Sequence, residues 1–142
     1  MGNADLLELS QNYSVLMTVY KKDNPQYFMA SVTSMMNQTI KTDDFVVVCD
    51  GSLTAELDNC IKSMVSEYEE IFHIIRLPKN VGLGKALSIG LAACKNELVA
   101  RMDDDDVAHR DRCEKQLRFY RTHQNVSILG SYVSEFEDTP DR

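Results

Sequence analysis

Four consecutive aspartates, Asp103-Asp104-Asp105-Asp106, follow the apolar stretch Glu97-Leu98-Val99-Ala100-Arg101-Met102. The run holds two overlapping carboxylate pairs, Asp103/Asp105 and Asp104/Asp106. Carboxylates so spaced at a strand end can reach one site. Hard oxygen ligands of this kind suit Mg2+ or Mn2+, ions that keep waters and share a substrate's phosphates. Spacing alone does not choose between the pairs, and a run of aspartates also serves as a solvated acidic turn. The buried strand expected just before it tips the balance toward a cation site.

Two other segments carry residues capable of chemistry. Asp50 follows Phe45-Val46-Val47-Val48-Cys49 and precedes Gly51-Ser52. Its carboxylate could accept hydrogen bonds from a ligand, or could cap a turn; the sequence leaves both roles open. Asn80-Val81-Gly82-Leu83-Gly84-Lys85 resembles a phosphate loop only superficially. A Walker A loop would need glycine where Lys79 stands and Ser or Thr where Ala86 stands, and Leu87 occupies the third glycine of a dinucleotide fingerprint. What remains is a turn into a helix whose N-terminus favours anions, with Lys85 in its first turn, either solvated or in contact with a diphosphate. His73, His109 and His123 lack metal-ligand spacing, and no nucleophile elbow exists for a Ser-His-Asp set.

These residues need elements to position them. Tyr13 to Val19 reads as a buried strand, and Asn24-Pro25 as the N-cap and first residue of a helix running to about Asn37, with Phe28, Val32, Met35 and Met36 on one face. Phe45 to Cys49 is a second strand. Leu57, Cys60, Ile61, Met64, Val65 and Tyr68 recur with helical spacing. A third strand spans Ile71 to Leu77. Leu83, Ala86, Leu87, Gly90, Leu91 and Cys94 then repeat the helical pattern. Glu97 to Met102 is the fourth strand, followed by a helix around Asp111 to Thr122 and a fifth strand near Val126 to Val133. This β-α-β-α-β-α-β-α-β order predicts an α/β fold, a mostly parallel sheet with helices on both faces. In such sheets ligands bind beyond the carboxyl ends of the strands, where Thr18 to Tyr20, Asp50, Pro78 to Gly84 and Asp103 to Asp106 all fall.

The bulk numbers set limits. The 142 residues are 44% hydrophobic and 26% charged, which fits one folded domain. A net charge of −7 argues against a nucleic-acid partner. Cys49, Cys60, Cys94 and Cys113 form no C-x-x-C pair, so reduced, mostly buried thiols are expected rather than a zinc site. No apolar run is long enough to span a membrane, and no signal peptide is evident, so a cytoplasmic location is the expectation.

Together the segments SVLMTVYKKDNPQYFMASVTSMMNQT, VVVCDGS and NVGLGKALSIGLAACKNELVARMDDDDVAHRDRCEKQ resemble the bacterial family-2 glycosyltransferases of GT-A fold that build surface polysaccharides. The resemblance covers Tyr13 to Phe136 in order and spacing. It implies a Rossmann-like GT-A nucleotide-binding domain over 13–136, with a leader at 1–12 and a tail at 137–142. It also implies an inverting sugar transfer from a nucleoside-diphosphate sugar, UDP-sugars favoured, to a saccharide or lipid-linked acceptor. A lipid-linked acceptor would bring the chain to the inner face of the membrane.

By position the resemblance assigns Asp103 and Asp105 to a D-x-D motif. Asp105 would bind the Mn2+ or Mg2+ that bridges the donor's diphosphate. Asp103 would contact the ribose or reach the metal through water. Asp104 is the variable middle residue at the donor, and Asp106 extends the motif. Asp50 matches the residue that reads the nucleotide base, Thr18 and Tyr20 match nucleoside contacts, and Arg112 and Gln116 match supports of the acidic loop. Cys49, Ser88 and Arg110 depart from residues common in the family, which has aspartate, asparagine and proline there. The family's catalytic base lies well beyond the fifth strand. Glu135, Glu137 and Asp138 come too early to match it, so the base is unassigned, and the alternative expectation is a donor-binding module or fragment without base and acceptor site.

Overall fold

The computed structural model describes residues 13–123. In chain order these form β1 (Tyr13–Val19), α1 (Pro25–Met36), β2 (Phe45–Cys49), α2 (Ala55–Glu67), β3 (Phe72–Arg76), α3 (Leu83–Ala93), β4 (Leu98–Arg101) and α4 (Arg112–Thr122). The expected alternation therefore holds across this range. The fifth strand near Val126 to Val133, the leader and the tail lie outside the described residues.

Among the described residues all strand pairings are parallel, in the order β3-β2-β1-β4. β1 and β2 are paired on both sides, which explains their near-continuous apolar sequences. Val15, Met17, Val46, Val47, Val48 and Cys49 are fully buried. Burying each valine contributes about 1.5–3 kcal/mol relative to exposure. One sheet face meets α1, α2 and α4 through Phe28, Val32, Met35, Leu57, Ile61, Met64, Cys113 and Leu117. The other meets α3, where Ala86 packs with Leu16, Val46 and Val48.

Side-chain caps start α1 and α2. Asn24 Oδ1 accepts from the amides of Gln26 (2.8 Å) and Tyr27 (3.1 Å), and Pro25 takes the first turn, where no amide is needed. Thr54 caps α2 through the Leu57 amide, and Glu56 and Asp58 in the first turn complement the helix dipole.

α3 departs from its expected face. Ala86 and Gly90 are buried, but Leu83 and Leu91 are 53% and 55% exposed. The helix lies so close to the sheet that a Cβ on Gly90 would meet Leu16 Cδ1 at 2.4 Å and Val48 Cγ2 at 2.7 Å. Small residues thus make the contact while the leucines flanking them turn outward. Of the thiols, Cys49 and Cys113 are buried, Cys60 and Cys94 are half-buried, and all four are free.

Candidate functional site

The strand order places a switch point between β1 and β4, because the chain moves outward from β1 through β2 and β3 and then returns to β1's other side. At such a point the loops leaving adjacent strands diverge and open a crevice. The loop after β1 carries Tyr20, and the loop after β4 carries the four aspartates. β4 ends where Arg101 pairs with Leu16, and the Met102 amide continues the ladder to the Leu16 carbonyl at 3.0 Å. Asp103 therefore leaves the sheet beside the end of β1.

Within the acidic loop the four aspartates separate into two groups. Carboxylate oxygens of Asp103, Asp105 and Asp106 lie within 4.8 Å of one another, and all three residues are exposed. Asp104 turns inward instead. Its Oδ2 is buried without a hydrogen-bond donor, and its carboxyl faces that of Asp23. Burial first, then Asp23, then the charges of Asp105 and Asp103 push Asp104 up to about 8. Asp106 is also raised, by burial and by Asp105 and Asp103, with Arg112 opposing. Three hard oxygen donors converging at one point suit Mg2+ or Mn2+, which accept a few carboxylates and fill the remaining positions with water and phosphate. The structure thus brings Asp103 and Asp105 together, with Asp106 beside them, and sets Asp104 apart.

Basic groups hold this loop from below. Arg101 Nη2 pairs with Asp103 Oδ1 at 3.0 Å, both half exposed, an ion pair worth at most about 1 kcal/mol. Arg112 Nη2 donates to the Arg101 carbonyl at 3.0 Å, and Nη1 reaches Met102 Sδ at 3.4 Å. Arg112 so tethers the last residue of β4 to the start of α4. Gln116 is half-buried one turn further along α4.

Asp50, at the end of β2, is buried, and its carboxylate is engaged within the chain. Oδ1 accepts from the Val81 amide at 2.7 Å and Oδ2 from the Gly82 amide at 3.2 Å. Gly82 is the N-cap of α3, with φ 93°, and has no side chain to cap the helix. Asp50 thus ties Val81 and the α3 N-cap Gly82 to the end of β2. Gly51 has φ 90°, and a Cβ there would sit 2.9 Å from the Asn80 amide nitrogen, so the two loops touch backbone to backbone. Lys85 stands exposed in the first turn of α3.

Thr18 is partly buried near the end of β1, and Tyr20 is 36% exposed just past it. The Tyr20 amide donates to Asp23 Oδ2 at 2.9 Å and the Asp23 amide returns a bond to the Tyr20 carbonyl at 3.0 Å, closing a tight turn. Among the described residues, no hydrogen bond or ion pair joins Thr18, Tyr20, Asp50 or Lys85 to the acidic run. They share its sheet edge. Cys49 does not reach that edge; it packs in the core, and burial pushes its thiol up to about 11.

Sequence reasoning passed over three residues of α1 and its C-terminal turn. Ser31 Oγ donates to the Asp103 carbonyl at 2.8 Å, Ser34 Oγ accepts from the Ala108 amide at 3.0 Å, and Gln38 Nε2 donates to the His109 carbonyl at 2.7 Å. For Ser31 the signal was available, a polar residue at a spacing that puts it with the buried face of α1; Gln38, past the helix end, gives no such signal.

A family model described as "Glycosyl transferase family 2" matches residues 14–142. The chain is 40% identical over 126 residues to an uncharacterized glycosyltransferase of Haemophilus influenzae, covering 87% of this chain and 46% of the relative. It is 37% identical over 130 residues to the UDP-Gal:alpha-D-GlcNAc-diphosphoundecaprenol beta-1,3-galactosyltransferase of Escherichia coli, covering 90% and 46%. The chain thus spans about half the length of these curated relatives. Among solved structures, S. aureus TarS 1–349 in complex with UDP-GlcNAc superposes with a TM-score of 0.66 at 21% identity, over 80% of this chain and 32% of that one. The mannosyltransferase PcManGT from Pyrobaculum calidifontis, in complex with GDP-Man and Mn2+, gives 0.61 at 16% identity, over 70% and 29%. These structural likenesses bear on the fold.

Proposed function

Because the chain belongs to glycosyl transferase family 2, we propose that its described residues bind a nucleoside-diphosphate sugar, UDP-linked by preference, through a divalent cation. The protein transfers that sugar to an acceptor hydroxyl during surface polysaccharide synthesis. The observation that carries this reading is the convergence of Asp103, Asp105 and Asp106 carboxylates at the β1/β4 switch point. The UDP-GlcNAc, GDP-Man and Mn2+ named in the complexes of the fold relatives support the ligand class.

In this reading Asp103, Asp105 and Asp106 hold Mn2+ or Mg2+. When bound, the cation offsets charge that builds on the departing nucleoside diphosphate. Thr18 and Tyr20 contact the nucleoside from the loop after β1. Asp50 fixes the N-terminus of α3, whose free amide ends and Lys85 then face the diphosphate; through the same loop Asp50 borders the base. Asp104 supports the donor side of the loop from beneath rather than ligating the cation. A saccharide or lipid-linked acceptor fits the substrate named for the Escherichia coli relative. Among the described residues no helix is long and apolar enough to cross a membrane. The proposed location is the cytoplasm, with contact at the inner membrane face made through the acceptor.

Calorimetric titration with UDP, GDP and TDP, each with and without Mn2+, tests the donor site. UDP is expected to bind more tightly when Mn2+ is present. A folded sample that shows no Mn2+-dependent binding to any of the three overturns the reading. Binding without sugar transfer would confine the described residues to the donor half of the reaction.

A further inference from the structure

The acidic loop makes few hydrogen bonds of its own. Between β4 and α4 the backbone pairs internally only through the Asp106 amide to the Asp103 carbonyl (3.3 Å) and the Arg112 amide to the His109 carbonyl (3.1 Å). Backbone groups placed against a protein interior need partners. Apart from the Met102 amide, which pairs with Leu16 of β1, the partners come from one neighbour, α1 and the turn that follows it. Ser31 Oγ takes the Asp103 carbonyl, Ser34 Oγ the Ala108 amide, and Gln38 Nε2 the His109 carbonyl, while Gln38 Oε1 accepts from the Cys113 amide at 2.9 Å. The Thr39 amide adds a bond to the Arg110 carbonyl at 2.8 Å.

The three side chains are themselves locked. Ser31 is fully buried and Gln38 is 2% exposed. Ser34 Oγ also donates to the Ser31 carbonyl at 2.7 Å, and Gln38 Nε2 to the Ser34 carbonyl at 3.1 Å, so each is held by α1 as it holds the loop. Ser31 and Ser34 lie three positions apart on α1, the spacing that stacks side chains along one side of a helix, and Gln38 follows the C-cap Asn37, where its bond to the Ser34 carbonyl keeps it beside them.

We infer that Ser31, Ser34 and Gln38 form a positioning set: α1 and the turn that follows it use them to hold the main chain of the acidic loop so that Asp103, Asp105 and Asp106 present their carboxylates together. None of the three touches the cation or the donor. Their effect is geometric, because three mutually repelling carboxylates on an untethered loop would spread apart. The inference rests on the reading of those aspartates as cation ligands, and its test separates the two.

The test uses the full chain, with Ser31→Ala, Ser34→Ala, Ser34→Thr and, as a core control distant from the loop, Ile61→Val. Free Mn2+ is followed by electron paramagnetic resonance, and amide hydrogen exchange is followed on the metal-free chain. Removing groups that orient a metal's ligands typically weakens binding 10–100-fold, and Ser31→Ala and Ser34→Ala are expected to weaken Mn2+ binding about tenfold. Ser34→Thr keeps the hydroxyl and should restore affinity; Ile61→Val should leave it unchanged. Exchange at the amides of residues 104–108 should quicken in the two alanine variants and not in Ile61→Val. Alanine variants matching the parent in both readouts overturn the inference, as does an Ile61→Val loss of equal size. If the parent chain binds no Mn2+, the cation reading fails, and the exchange comparison alone decides the positioning set: faster exchange confined to the serine variants upholds it, and equal exchange rejects it.

Discussion

Asp50 Oδ1 accepts a 2.7 Å hydrogen bond from the Val81 amide, linking the loop after β2 to the loop that starts α3. A second bond, from the Gly82 amide to Oδ2, makes the carboxylate a two-pronged clamp. Asp50→Ala leaves two amides without their partner and should cost about 1–3 kcal/mol. Asp50→Asn turns an NH2 group toward one amide and should lose a similar part of that stability. Urea unfolding measures both; midpoints equal to the parent's would remove the clamp from the account of this fold.

Asp105 is exposed and makes no hydrogen bond within the described residues. Asp105→Asn should therefore change stability by less than about 0.5 kcal/mol, as surface substitutions do. The same change should abolish Mn2+-dependent nucleotide binding in calorimetry. Retained Mn2+ dependence would take Asp105 out of the proposed ligand set.

Gly90 sits mid-helix, where alanine is ordinarily better by about 1 kcal/mol. The contacts with Leu16 and Val48 oppose that gain, since an added Cβ at 2.4 and 2.7 Å forces both side chains or the helix to move. Overpacking of this kind costs about 1–3 kcal/mol, so Gly90→Ala should be net destabilising in urea or heat. A raised melting temperature would show that α3 can lift from the sheet without loss.

Burial pushes the Cys49 and Cys94 thiols up to about 11 and raises Cys113 as well. Because the thiolate is the reactive form, alkylation at pH 8 should be slow in the folded chain and fast in urea. Cys60 is half-buried and should label first. The sign for stability follows from the same shifts. The folded pKa values of Cys49 and Cys94 lie above the usual 9.0, so their contribution is fully present below pH 9 and is lost as the pH rises through about 11. Rapid labelling of Cys49 at pH 8 in the native state would contradict its place in the core.

Strand and helix positions were legible because the two central strands are near-continuous apolar runs, α1 opens on the Asn24-Pro25 cap, and α2 and α3 carry apolar residues at helical spacing. The family pattern pointed to Asp103 and Asp105, but nothing in four identical side chains distinguishes Asp104, which turns toward Asp23 only because the two loops are neighbours in space. Asp50 was legible as a strand-end carboxylate; its partners, 31 and 32 residues downstream in the β3–α3 loop, depend on how the loops dock. The outward turn of Leu83 and Leu91 was hidden for a related reason. Helical periodicity reports one apolar face, and the close approach permitted by Gly90 decides which part of it meets the sheet.

The strand order has a consequence for how the chain comes to be folded. β1 can pair with β2 soon after both exist, but its other neighbour, β4, pairs Tyr13 with Leu98, after most of the described chain has been made. Long-range pairings of this kind close late, and during synthesis the N-terminal part of a chain is the first free to fold. β1, α1 and β2 can thus assemble before the acidic run leaves the ribosome. On that order Ser31 is expected to stand in place before the carboxylates arrive, with Gln38 completing its bonds as the loop docks, and hydrogen-exchange labelling during refolding checks it.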